Sequence, residues 1–144
     1  MLRLLAIALA VVFFISAPRA GRADDLTAAD KSEFQRIISE QIAAFNADDG
    51  ARAYAQAAPM IKRIFPTPEV FMNMVRNGYA PVYRQKSFTF GDVTTEFQGQ
   101  PTQRVTIVDI NGKLWTALYS FERQPDGTWK INGCTLVETP GADA

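Results

Sequence analysis

The stretch SFTFGDVTTEFQGQPTQRVTIVDINGKLWTALYSFERQPDGTWKINGCTLVE, residues 87–138, decides the fold. Segments of alternating apolar and polar residues are separated by Gly99-Gln100-Pro101, by Asn111-Gly112 and by Pro125-Asp126-Gly127. Each combination suits a tight hairpin for a dihedral reason. Asn-Gly supplies the two positive φ angles of a type I′ turn, and Pro-Asp-Gly supplies a type I turn followed by a left-handed glycine. The reading is a four-strand antiparallel meander. Phe88 and Phe90 share one parity while Val93, Thr95 and Phe97 share the other, so a bulge is expected at Gly91-Asp92 to return both sets to one face.

The turns set the register. A two-residue loop at Asn111-Gly112 pairs Val108 with Trp115 and Thr106 with Ala117, and sets Arg104 opposite Tyr119. A three-residue loop at 125–127 pairs Arg123 with Trp129, Phe121 with Ile131, Tyr119 with Gly133 and Trp115 with Val137. One face then carries Trp115, Ala117, Tyr119, Phe121, Trp129, Ile131 and Val137, the side expected to be covered by helices. On the other side Leu114, Leu118, Val105 and Ile107 form an apolar strip that suits a homodimer surface, although scattered exposed apolar residues need no partner.

Upstream the period changes from two to 3.6. Phe34, Ile37, Ile38, Ile42 and Phe45 predict an amphipathic helix over residues 30–48, capped by Thr27 with Asp30 three positions on and ended by Gly50. Alanine-rich residues 51–58 predict a short second helix stopped by Pro59, followed by the apolar, twice-charged run 60–65. Thr67-Pro68-Glu69 starts a third helix whose buried face is read as Val70, Phe71, Met74 and Val75, closed by Asn77-Gly78. Residues 79–86 form a connector with room for a short extended piece. The fold class is therefore α+β, three N-terminal helices packed on a curved four-stranded antiparallel sheet.

The first residues do not fit that domain. A short positive start, the apolar run Leu4 to Ile15 and the small residues Gly21-Arg22-Ala23 predict a signal peptide over 1–23 ahead of a single domain over 24–144. Twelve apolar residues would span about 18 Å as a helix, too little for a hydrocarbon core of about 30 Å. Full-length, the chain balances 15 basic against 15 acidic residues; removing Arg3, Arg19 and Arg22 leaves 12 against 15, a net charge of about −3. A mildly acidic chain with scattered positive charges is a poor nucleic-acid binder, and no membrane association is expected once the leader is gone. Cys134 stands alone, so it makes no internal disulfide. Export without disulfides suits a periplasmic or secreted location.

Helices first, then a curved antiparallel sheet with Gly127-Thr128-Trp129-Lys130-Ile131 in its last strand, resembles the nuclear transport factor two-like, cystatin-like α+β superfamily across about residues 28–138. More narrowly, Ala58-Pro59-Met60-Ile61-Lys62-Arg63-Ile64-Phe65-Pro66, then Phe71 and Tyr79-x-Pro81-Val82-Tyr83, is similar to the bacterial family catalogued as domain of unknown function 4864. The superfamily resemblance implies a bent sheet wrapping the long helix into a cone, with a cavity at its open end that is catalytic, ligand-binding or filled, depending on the member. The narrower family implies no activity.

Histidine is absent from the chain. That removes the Asp-His pair used by some superfamily members and weakens hydrolase triads and zinc sites; no metal and no cofactor is expected. Asp109 beside the hairpin and Asp92 at the bulge read as turn residues before they read as acids or bases. The expected ligand-binding residues are Tyr54, Tyr79, Tyr83, Arg104 and Tyr119. Arg104 either holds a ligand carboxylate or lays its stem over the sheet edge with its guanidinium in water. The tyrosines either line a cavity mouth or pack as core. Three functions follow: a module binding a small apolar or amphipathic ligand in the cone, an isomerase or lyase using tyrosine with a carboxylate, or a homodimerising interaction domain.

Overall fold

The computed structural model describes residues 26–95 and 99–139. The leader read over 1–23 and the alternation of Phe97 lie outside the described residues. Helices α1 (Ala28–Asn46), α2 (Gly50–Tyr54), α3 (Pro59–Ile64), α4 (Pro68–Gly78) and α5 (Ala80–Tyr83) precede strands β1 (Gln85–Thr94), β2 (Thr102–Asp109), β3 (Leu114–Arg123) and β4 (Trp129–Glu138). The strands form one antiparallel sheet in chain order.

Thr27 and Asp30 make a reciprocal capping box, each side-chain oxygen accepting from the other's backbone N–H at 3.0 Å. Asp30 also accepts from Trp129 Nε1 at 3.1 Å and pairs with Arg123 at 3.0 Å, so the start of α1 is tied to the last hairpin. These bonds, the Thr27 N–H first, hold its carboxyl below the ordinary aspartate range. A depressed folded pKa stabilises above the unfolded value, and the gain is lost as pH falls. Asp30→Asn should cost about 1–2 kcal/mol at neutral pH. Guanidinium midpoints should show that deficit shrinking below about pH 4, the range in which the wild-type carboxyl protonates.

The far end of α1 departs from expectation. Asp48, not Gly50, breaks the helix, adopting φ 53 in the left-handed region that a short polar side chain tolerates. Gly50 instead opens α2 where it meets α4. A Cβ there would lie 2.9 Å from Met72 Cγ, so the close helix contact requires glycine. That packing turns the buried face of α4 to Phe71, Met72 and Val75, leaving Val70 45% exposed and Met74 half-buried. The second helix stops at Tyr54, because the chain then runs beside β4. Ala58 N–H donates to Ile131 O and Ile131 N–H to Gln56 O, both at 2.8 Å. Residues 80–83 of the connector are helical rather than extended.

The β1 bulge falls where the parity change required it, between Phe90 and Val93. Two registers differ from the sequence reading by one residue. The β2–β3 loop has three residues rather than two: Asp109 N–H donates to Lys113 O at 2.9 Å, and only Gly112, at φ +82, is left-handed. The Asp109 carboxylate stabilises this turn, accepting from the N–H groups of Asn111 and Lys113 at 2.9 Å each and from Trp115 Nε1 at 3.0 Å. Trp115 consequently faces Ile107 rather than Val108, and Arg104 faces Leu118 rather than Tyr119. Val105 and Ile107 therefore turn into the core and drop out of the outer apolar strip.

The last hairpin keeps its three-residue loop and pairs Phe121 with Ile131 and Arg123 with Trp129 as read. Beyond it an extra residue, Asn132, enters β4. Tyr119 then opposes Cys134 rather than Gly133, and Trp115 opposes Glu138 rather than Val137. Cys134 and Leu136 join the inner face and Val137 turns outward, 43% exposed. Over that inner face lies α1. Phe34 stacks on Phe121 at 4.3 Å between centroids and meets the edge of Trp129 at 5.0 Å.

Candidate functional site

A cavity of about 290 Å³ lies between the helices and the inner face of the sheet. Gln41 and Phe45 of α1, Ile61 of α3 with Phe65 just after it, and Phe71, Met74 and Val75 of α4 form one wall. Tyr79, Val82, Ala57, Tyr119, Ile131, Gly133 and Cys134 complete it. The Asn132 bulge makes this wall, because without the extra residue Cys134 would point to the opposite side. Gly133 contributes backbone only; a Cβ there would approach Ser120 Oγ of the outer face at 3.1 Å.

Polar groups in this wall are few and mostly satisfied by one another. Tyr79 O–H donates to the Cys134 carbonyl at 2.9 Å. Tyr119 faces Cys134 across the β3–β4 pair, and its phenol and the thiol influence each other's titration. Gln41 Nε2 donates to the Ala53 carbonyl at 3.3 Å, linking α1 to α2. Burial raises the Tyr79 and Tyr119 phenols above their ordinary value, Tyr119 well above it, and pushes the Cys134 thiol up to about 12. Cys134 keeps partial exposure while sitting deep among protein atoms, as a group on a cavity wall does. Among the described residues no charged side chain lines the cavity, so the wall they form is neutral throughout the physiological range.

Of the five residues singled out by sequence, Tyr79 and Tyr119 meet here. Tyr54 stands behind the wall. Its hydroxyl donates to Phe65 O at 2.6 Å and its ring lies 5.5 Å from Phe71, fixing two cavity residues from outside. Tyr83 belongs to a surface cluster: its hydroxyl donates to the Asp48 carboxylate, Arg84 lies over its ring at 4.0 Å, and Arg84 pairs with Asp48 at 2.8 Å. Arg104 is exposed on the outer face, its stem 3.4 Å from the Cβ position of Gly91, as the corrected register dictates.

Gln41 and Cys134 were missed. A signal for Gln41 was present, since Phe34, Ile38, Gln41 and Phe45 follow one another at spacings of four, three and four, which places the glutamine in the buried stripe. Cys134 had none, because a bulge at Asn132 breaks no pattern that flanking residues reveal.

Among the described residues no cluster of acidic, cysteine or histidine side chains could hold a metal ion, and no helix is long and apolar enough to cross a membrane. A search of the curated proteins finds no match, and neither does a search of the solved structures. The model of one family, described as Domain of unknown function (DUF4864), matches residues 27–144, from the cap of α1 through all four strands, and the chain belongs to that family.

Proposed function

We propose that this chain is an exported module that binds a small apolar or amphipathic molecule in the cavity, and that its fold is of the nuclear transport factor two-like kind. The observation that carries the reading is a cavity of about 290 Å³ with an apolar, uncharged wall. It is about twice the roughly 150 Å³ engineered cavity that takes up benzene. Half-buried Ile61, Phe65, Met74 and Tyr79 supply a rim through which a ligand can enter. A leader over 1–23 would deliver the module to the periplasm or the exterior.

The neutral fluorescent amine N-phenyl-1-naphthylamine is a suitable probe. It should bind saturably at one site with micromolar affinity and brighten on leaving water. Straight-chain competitors should tighten about fourfold per added methylene until the cavity is full, as about 0.8 kcal/mol per buried CH₂ requires. Absence of saturable binding would remove the reading.

The isomerase or lyase alternative needs a carboxylate at the cavity with a raised pKa. Among the described residues none lines it, and the carboxylates that shift (Asp30, Glu33, Glu40, Asp48, Asp109 and Asp126) all shift downward, in surface pairs and turns. The homodimer alternative retains Leu114 and Leu118 but loses Val105 and Ile107 to the core.

A further inference from the structure

The head group of the ligand follows from one atom. Gln41 is 4% exposed and lines the cavity. Its Nε2 is the atom that donates to Ala53 O, since only the amide nitrogen can donate to a carbonyl, and this assigns Oε1 as the remaining acceptor. Oε1 has no hydrogen-bond partner among the described residues. The other polar groups of the wall make no bond to it: the Tyr79 hydroxyl is spent on the Cys134 carbonyl, and Tyr119 faces Cys134 across the strand pair. An acceptor on a buried side chain that no protein donor serves is left open to the cavity, and a ligand that brings a donor there gains the bond.

The same wall discriminates by charge. With no lysine or arginine lining it among the described residues, an ionised head group would enter without a counter-charge. A hydroxyl suits both conditions, because it is uncharged, donates through its hydrogen, and can accept from the second Nε2 hydrogen. We propose, resting on the ligand-binding reading above, that the cavity selects a neutral amphiphile with a hydroxyl head, an aliphatic alcohol or a phenol, whose O–H donates to Gln41 Oε1 while its apolar body lies against Phe45, Ile61, Phe71 and Val75.

Dissociation constants of octan-1-ol, 1-chlorooctane and octanoate, measured by ligand-observed NMR, test this at constant chain length. The alcohol should bind roughly fivefold tighter than the chloride, the worth of one net hydrogen bond. Octanoate at neutral pH should be weaker than the alcohol by roughly a hundredfold or more. Gln41→Met, close in volume and without polar atoms, should abolish the preference for alcohol over chloride while keeping chloride affinity. Should that variant fail to fold for want of the Ala53 bond, the wild-type series decides alone. Equal binding of alcohol and chloride would mean that Oε1 is served by solvent, and would overturn the head-group assignment while leaving the cavity reading intact. Octanoate binding tightest would also overturn it. If none of the three binds, both readings fall together.

Discussion

Phe34→Ala is expected to lower the unfolding free energy by about 3–5 kcal/mol, a large share of the roughly 5–15 kcal/mol typical of a domain. The ring is fully buried, stacks on Phe121 and receives the edge of Trp129, so truncation loses both the transfer free energy and two aromatic contacts. Relaxation cannot refill the space. The helix on one side is held by the Asp30 bonds to the last hairpin, and the sheet on the other by paired strands. Denaturant midpoints should show this loss, whereas Val70→Ala, read from sequence as a core position and exposed in the structure, should fall within about 0.5 kcal/mol of wild type. A small effect at Phe34 would mean that α1 does not lie on the inner face of the sheet.

Ile61→Trp is expected to abolish saturable binding of N-phenyl-1-naphthylamine, or to weaken it at least about tenfold, equivalent to roughly 1.4 kcal/mol. Ile61 is half-buried and lines the cavity from α3, so a larger side chain there can extend into existing space rather than displace backbone. Filling that space adds dispersion contacts, and the melting temperature should hold or rise. The two readouts separate the causes. Lost binding with an unchanged melt locates the probe in the cavity; unchanged binding would place it elsewhere and remove the functional reading; lost binding with a collapsed melt would show overpacking instead.

Much of the architecture was legible because it rests on local chemistry. Thr27 with Asp30, Thr67 with Pro68, the parity break at Gly91-Asp92 and the Pro125-Asp126-Gly127 loop each announce an element or a turn within a few residues, and the structure places a cap, bulge or loop at each. The candidate site was less legible because it depends on register, in which a single residue moves a whole strand to the other face. Asn111-Gly112 fits both a two-residue and a three-residue loop, and the choice is made by the Asp109 carboxylate, which ties the longer loop through backbone donors that look identical in sequence. That one residue carried Arg104 out of the interior and Val105 and Ile107 into it. The inserted Asn132 did the same for Cys134.

The run from Gln56 to Ala58, hydrogen-bonded along the free side of β4 at Ile131, also bears on solubility. Unsatisfied strand margins template the addition of foreign strands and hence fibrillar growth. Here the chain covers one margin at Ile131 with its own backbone, while at the opposite margin β1 carries exposed Lys86 and two register breaks that interrupt any straight docking line. Straight addition of a foreign strand is thereby obstructed at Ile131 on one margin and at the two register breaks on the other.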